Sequence, residues 1–263
     1  MLIIGEKLNS AIPPVREAVR NRDRAFVQDL ARRQVEGGAS LLDVNTAQGA
    51  NEVEDMEWLV RAVQEVVDVP LCIDSVNPGA VERALQIHRG KAMLNSISME
   101  ESRITGMLPL VKEYGCSVVA LTVDDGGIPK TVEDRMRIAG RLVDLLAREK
   151  IDLSEVYFDP LALPVAVSTD NALIFFQSLT EIKKAFGVKT ISGLSNVSHS
   201  LPKRKLINRY FLTICMHSGM DAVILDPLDR KLMSAVVTTE MLLGKDPFCR
   251  NYLKAYRGGA LEE

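Results

Sequence analysis

The chain has 263 residues, of which 47% are hydrophobic and 5% aromatic, and its 32 basic and 35 acidic residues give a formal charge of −3. This balance provides no broad positive surface and few rings on which bases could stack, so it argues against a nucleic-acid partner. No stretch approaches the ~18 consecutive apolar residues of a membrane span, and the short apolar start is not a signal peptide.

Eight short apolar runs, each bounded by turn residues, recur along the chain. Each run is continuously apolar rather than alternating, which is typical of a strand buried on both faces of a parallel sheet. The predicted strands are residues 2–5, 40–45, 70–74, 92–96, 117–123, 155–159, 189–194 and 221–225.

Helical periodicity fills the intervals between these runs. Thr131 and Asp134 form a capping-box pattern before one helix, and Asn77 followed by Pro78 is typical of the start of another. The predicted helices lie near residues 27–35, 59–66, 78–89, 103–114, 131–146, 170–186, 204–218 and 229–243.

The spacing of the strands decides between two α/β architectures. Successive strand starts are 22 to 38 residues apart, close to the ~30 residues of one βα unit, and eight units need about 250 residues. We therefore predict a single (β/α)8 TIM barrel over residues 1–263, with 244–263 as a C-terminal appendage. The competing doubly wound open sheet lacks a G-x-G-x-x-G after the first strand.

Cysteine and histidine are sparse and scattered. The four cysteines form no C-x-x-C pair, and no histidine lies at metal-ligand spacing from another ligand. We expect reduced thiols in a cytoplasmic protein without a metal site of its own. The residues are Cys72, Cys116, Cys215, Cys249, His88, His199 and His217.

Polar residues close nearly every predicted strand. Barrel active sites lie at the C-terminal strand ends, so these residues are candidate site residues. Asp and Asn are also common in turns and helix caps, which would explain any single one. A carboxylate that closes an apolar run, however, is partly desolvated and needs hydrogen-bond donors. The closing residues are Glu6, Asn9, Asp43, Asn45, Asp74, Asn95, Asp124, Asp159, Asn196 and Asp226.

The chemistry of this rim indicates the class of ligand. Glycine-rich phosphate turns are missing after strands 7 and 8, and Asp226 and Asp229 would repel an anion. Carboxylates and amides suit a neutral heterocycle rich in N–H groups, because one carboxylate accepts two parallel hydrogen bonds. A pterin has that pattern of donors.

Several segments at these strand ends resemble the pterin-binding methyltransferases, most of all the methyltetrahydrofolate:corrinoid protein methyltransferases. The likeness runs from end to end and is most specific at GLSNVS. The segments are MLIIGEKLN (1–9), CIDS (72–75), LNS (94–96), DPLALP (159–164), GLSNVS (193–198) and INR (207–209).

The resemblance implies a homodimeric barrel that moves a methyl group between N5 of tetrahydrofolate and the cobalt of a corrinoid, or cobalamin, carried by a partner protein. The same pocket serves both directions of transfer. Asn196 is implied to approach N5 and assist by hydrogen bonding. The other implied contacts are Asp74, Asn95 and Asp159 with the pterin, Arg204 with the folate, Lys183 with its glutamate tail, and Asp43 and Ser195 in the pocket wall.

One position departs from the family pattern, and two other functions compete. His199 replaces a glutamine of the acetogenic enzymes, and it could donate a hydrogen bond like an amide or titrate near neutral pH.

Dihydropteroate synthase shares the barrel but has a Ser-Arg-Lys loop where this sequence has residues 193–198. A pterin-binding barrel without catalysis is the third reading.

Overall fold

Eight parallel strands form the barrel of the computed structural model, which describes residues 1–263. This confirms the predicted (β/α)8 class. The strands are β1 (Leu2–Asn9), β2 (Leu41–Asn45), β3 (Leu71–Asp74), β4 (Met93–Met99), β5 (Ser117–Asp124), β6 (Val156–Asp159), β7 (Lys189–Thr190) and β8 (Ala222–Leu225).

The barrel closes between its seventh and eighth strands with few hydrogen bonds. The ladder runs in the order β7-β6-β5-β4-β3-β2-β1-β8, and an isolated bridge between Gly193 and Ile224 joins the segment after β7 to β8. The predicted strand 189–194 is thus only two residues long in the regular ladder, because the chain turns at Gly193 into a 3-10 helix, Leu194–Ser198.

Helices pack around the barrel. Where the sequence predicts one helix after β1, the structure has two, and the second begins at an Asp23 cap that accepts from the Phe26 NH. The helices are α1 (Pro13–Arg20), α2 (Arg24–Glu36), α3 (Glu52–Gln64), α4 (Pro78–Ile87), α5 (Glu101–Tyr114), α6 (Val132–Arg148), α7 (Asn171–Phe186), α8 (Arg204–His217), α9 (Arg230–Leu242) and α10 (Arg250–Arg257).

The barrel interior contains a plug of inward side chains below its mouth. These are Ile4, Leu41, Cys72, Met93, Val119, Ile191 and Ala222, and all are buried. Because side chains alternate between the two faces of a strand, the residue two positions later along each strand points into the same interior, one layer higher. The plug therefore leaves space only above it, at the carboxyl ends of the strands.

The last twenty residues lie on the outside of the barrel. Helix α10 packs against α9 without burying any of its own residues, and the tail returns to the start of α9, where Arg230 pairs with Glu262. All four cysteines are free thiols. None of the helices has both the length and the apolar character needed to cross a membrane.

The predicted cap of α6 is present and gives a test of this reading. The Thr131 hydroxyl accepts from the Asp134 NH at 3.1 Å. We expect Thr131→Ala to lower the free energy of unfolding by about 1 kcal/mol, because one backbone NH loses its partner. Thr131→Ser keeps the hydroxyl and should retain most of the stability. Urea unfolding followed by circular dichroism measures both variants, and equal midpoints for Ala and wild type would contradict the assignment.

Candidate functional site

A cavity of about 700 Å³ opens above the plug at the carboxyl ends of the strands. Its floor is built by the layer of residues two positions beyond the plug, one from each strand or the turn that follows it. These residues are Glu6, Asp43, Asp74, Asn95, Leu121, Asp159, Gly193 and Ile224. Along each strand, successive inward-facing side chains thus belong first to the apolar plug and then to the largely polar floor of the cavity.

Two aspartates lie side by side on β2 and β3. Asp43 is buried and accepts from the Asn95 amide at 3.4 Å, while Asp74 accepts from the Asn45 amide at 2.8 Å. Burial raises the pKa of Asp43 well above its usual value, and the nearby charge of Asp74 raises it further. Burial also raises the pKa of Asp74, although the hydrogen bond from Asn45 acts to lower it. The pair therefore holds a proton more tightly than two solvated aspartates would.

Asp159 closes β6 on the opposite side of the cavity. Its carboxylate accepts from the Leu161 NH at 2.7 Å, and the side chain is buried. Burial raises the pKa of Asp159 to about 6, although the Leu161 NH and the charge of Arg135 act in the other direction. At neutral pH Asp159 is thus an ionised, weakly hydrated acceptor facing the cavity.

The 3-10 helix after β7 presents Ser195 and Asn196 to the cavity. Arg204, at the start of α8, also lines the cavity and holds this turn in place, because its Nη2 donates to the Ser195 carbonyl at 2.7 Å and its Nε to the Ser198 hydroxyl at 3.1 Å. The Ser195 hydroxyl donates to Glu6 on β1 at 3.0 Å. Asn196 makes no side-chain hydrogen bond within the protein, so its amide is free to meet a ligand.

The structure brings together seven of the eight residues implied by the resemblance, namely Asp43, Asp74, Asn95, Asp159, Ser195, Asn196 and Arg204. It does not bring Lys183 to the cavity. Lys183 lies near the end of α7 and pairs with Asp221, which precedes β8 at the opposite end of the barrel. The expected contact of Lys183 with a glutamate tail is therefore wrong. The end of this helix lies at the opposite end of the barrel from the cavity, too far for its side chain to reach a bound folate.

Two further residues named from the sequence lie outside the cavity. His199 ends the 3-10 helix, is exposed and does not line the cavity wall. Asp124 ends β5 but turns outward to Arg137 and Arg141 of α6, at 3.1 and 2.8 Å. These ion pairs lower the pKa of Asp124 against the effect of its burial, so this rim carboxylate belongs to the barrel exterior.

Sequence reasoning missed several residues of the site. Lys7 and Asn208 line the cavity. Arg135 does not line it, but it is close enough to Asp159 for the two charges to interact, and its fully buried guanidinium makes no hydrogen bond. One signal for Arg135 was available, since it falls three residues before Ile138 on the apolar face of α6. No cluster of three His, Cys, Asp or Glu side chains has the arrangement of a metal site.

Known proteins resemble the chain along nearly its whole length. Residues 14–226 match the family described as pterin binding enzyme. A methylcorrinoid:tetrahydrofolate methyltransferase of Eubacterium limosum is 36% identical over 265 residues, covering 99% of this chain and 98% of that protein. Methionine synthases of Mycobacterium leprae and Mycobacterium tuberculosis are 34% and 31% identical over 85% of this chain, which spans 20% of their length.

Solved structures of dihydropteroate synthases share the architecture. The Xanthomonas albilineans enzyme in complex with 7,8-dihydropteroate has a TM-score of 0.70 at 17% identity, with 92% of both chains covered. The Yersinia pestis enzyme with a pterin-sulfa conjugate has a TM-score of 0.71 at 17% identity, covering 92% of this chain and 93% of that one. At this identity the likeness establishes the barrel fold alone.

The raised pKa of Asp159 predicts a pH-dependent stability. Below pH 3.8 the carboxyl is protonated in both the folded and the unfolded chain, whereas above about pH 6 it is ionised in both. Between these values the folded state holds the proton more tightly, so this group destabilises the fold increasingly as pH rises. At about 1.4 kcal/mol per pKa unit, the full effect is about 3 kcal/mol.

Asp159→Asn removes this ionisation while its amide oxygen can still accept from the Leu161 NH. We expect the stability of Asp159→Asn relative to wild type to increase by up to about 3 kcal/mol between pH 4 and pH 7, measured by urea unfolding. Asp152→Asn is the control and should show no such increase, because hydrogen bonds from Ser154 lower the pKa of that carboxyl, which is therefore ionised in both the folded and the unfolded chain over this pH range. A pH-independent difference at Asp159 would contradict the assignment.

Proposed function

The chain belongs to the family of pterin-binding enzymes, and on this premise we propose that it is a methyltransferase. It moves a methyl group between N5 of tetrahydrofolate and the cobalt of a corrinoid carried by a partner protein. One observation carries the proposal: Asp74, Asn95 and Asp159 converge on the same cavity as the free amide of Asn196. The full-length similarity to the Eubacterium limosum methyltransferase supports it.

The cavity floor suits a pterin because its acceptors match the donors of that ring. Asp159, ionised and backed by the Arg135 charge, can accept two parallel hydrogen bonds from adjacent ring N–H and amino groups. Asp74 and Asn95 lie on the neighbouring strands β3 and β4, paired in register. A planar ring bound between these strands and β6 would be oriented by acceptors on two sides.

Asn196 is placed to assist at the reacting nitrogen. When the methyl group leaves N5, the bonding electron pair stays on the nitrogen and negative charge develops there. An amide N–H donates to that charge, whereas the amide oxygen accepts from N5–H once the nitrogen is protonated, so one side chain serves both partners. Because Asn196 is itself exposed on the 3-10 helix, it can rotate between these roles.

The partner follows from the size of the second substrate. A corrinoid is too large to enter the cavity together with its carrier protein, so that protein docks transiently over the open mouth of the barrel.

The free thiols of the chain agree with the cytoplasm as the place of action.

Asn196→Ala tests the role of this amide. We expect kcat/KM for 5-methyltetrahydrofolate with free cob(I)alamin to fall on the order of 100-fold, since one donor to the developing charge is lost. The dissociation constant of the folate should change far less. The exposed Asn251, on α10 far from the cavity, provides the control Asn251→Ala. Wild-type kcat/KM in Asn196→Ala, measured by cobalamin absorbance, would refute the role.

We further propose that two copies of the chain associate through the surface between α7 and α8, called here the α7–α8 face. A groove on this face has only hydrophobic lining residues, among them Phe176 and Phe211. Three of the lining residues, Leu206, Tyr210 and Ile214, have 45–66% of their surface exposed. Val167, just before α7, and Leu173 on α7 are also exposed, at 80% and 60%. An apolar patch of this kind marks an interaction site, and two copies related by a twofold axis would cover both patches.

Tyr210→Glu tests this surface. A buried unpaired charge opposes association, so we expect the variant to sediment as a monomer and wild type as a dimer in analytical ultracentrifugation. Phe248→Glu is the matched control, because Phe248 is 85% exposed, precedes α10 and does not line the groove. A monomeric wild type, or a Tyr210→Glu dimer of unchanged affinity, would contradict the proposal.

A further inference from the structure

Among the acidic side chains of the cavity, Glu6 has no proposed contact with the pterin and forms no ion pair. The proposed pterin contacts use Asp74 and Asp159, and Asp43 lies close enough to Asp74 for the charge of Asp74 to raise its pKa. The remaining acids are held locally, since Asp226 pairs with Lys7 at 3.1 Å, and Asp229 caps α9 and lies 3.7 Å from Lys205. Glu6 lines the cavity and forms no ion pair.

The position of Glu6 connects it to the reacting end of the cavity. Glu6 lies on β1, and its Oε2 accepts from the Ser195 hydroxyl at 3.0 Å. Ser195 is held in place by the hydrogen bond from Arg204 to its carbonyl and directly precedes Asn196. The hydroxyl of Ser195, the residue before the asparagine assigned to N5, is thus hydrogen-bonded to a carboxyl group.

The surroundings of Glu6 favour its protonated form. Burial raises the pKa of Glu6, and the charge of Asp226 after β8 adds to this effect. Asp43 on β2 also faces Glu6, whose charge raises the pKa of Asp43. The Ser195 hydrogen bond, Lys7 on the same strand and Arg204 on α8 act in the opposite direction. The balance lets this carboxyl carry a proton at a higher pH than a solvated glutamate does.

We propose that Glu6 holds the proton that N5 gains when the methyl group leaves, and delivers it through the Ser195 hydroxyl. The inference rests on the proposed methyl transfer. The N5–methyl bond breaks with its electron pair remaining on N5, while a cobalt electron pair forms the new bond to the methyl group. When Glu6 is protonated, its O–H donates to the Ser195 oxygen, which reverses the hydrogen bond made to the carboxylate and lets the Ser195 hydroxyl turn towards N5. The Glu6 proton then moves to the Ser195 oxygen as the hydroxyl proton of Ser195 moves to N5. In the opposite direction the N5 proton returns to the Glu6 carboxylate by the same route.

Glu6→Gln tests the proposal, because glutamine keeps the size of the side chain and an acceptor for Ser195 but cannot supply a proton. Single-turnover transfer from 5-methyltetrahydrofolate to free cob(I)alamin is followed by absorbance across a pH series. We expect the wild-type rate to rise as pH falls through one apparent pKa. The variant should lack this rise and be slower on the order of 100-fold, with unchanged folate affinity.

Three further variants make the result specific. Ser195→Ala removes the relay but keeps the carbonyl bond to Arg204, so we expect a loss of rate similar to that of Glu6→Gln. Glu6→Asp still holds a proton and should retain a pH-dependent rate, which tests the idea even if the glutamine variant folds poorly. Asp124→Asn removes a strand-end carboxylate outside the cavity and should leave both the rate and its pH profile at wild-type values.

The outcomes separate this inference from the function on which it rests. A wild-type pH profile and rate in Glu6→Gln would overturn the proton-holding role while leaving the methyltransferase intact. Weakened folate binding in Glu6→Gln at an unchanged single-turnover rate would also overturn it, since Glu6 would then be a binding residue. Absence of transfer in wild type, in both directions with free cob(I)alamin and methylcob(III)alamin, would refute the proposed function itself.

Discussion

The alternation of side chains along eight parallel strands is the constraint on which the rest of this structure depends. The plug and the cavity floor are consecutive inward layers of the same strands, so Ile4 and Glu6, or Cys72 and Asp74, differ only by one repeat of the pleat. The apolar layer excludes water from below, and the layer above it receives polar groups that the plug has already partly desolvated. A one-residue shift of a strand would remove its polar group from the cavity.

Desolvation is therefore the main electrostatic property of the site. Burial is the largest cause of the raised pKa values at Glu6, Asp43, Asp74 and Asp159. Each carboxyl lacks part of the hydration that would stabilise its charge. The protein is thus less stable with these carboxyl groups ionised than with them neutral, and under the proposed function the N–H groups of a pterin would supply the missing hydrogen bonds.

The sequence predicted the architecture well because the relevant signals are local. Continuous apolar runs, their spacing, and the caps at Asn77 and Thr131 each depend on a few neighbouring residues, and the structure confirms them. The strand-end position of Asp74 or Asp159 also follows from the runs. The direction of a side chain after the strand ends does not, which is why Asp124 turned out to face Arg137 and Arg141.

The predictions that were wrong concern features that depend on contacts between segments distant in sequence. The shortness of β7 depends on the turn at Gly193 and on pairing with β8, which is distant in sequence. Lys183 was placed by likeness alone, whereas its position near the end of α7 puts it at the foot of the barrel beside Asp221. The Ser195 bond to Glu6 spans 189 residues of chain, and no local pattern encodes a contact of that range.

Arg135 gives the cavity a charge that the solvent hardly reaches. Its guanidinium is fully buried behind Asp159 and has no hydrogen-bond partner, so mobile ions cannot approach it closely. Exposed charge pairs weaken as salt is added, but buried charges are screened much less. Added salt therefore weakens the attraction between Arg135 and Asp159 much less than it weakens the exposed ion pairs on the barrel surface.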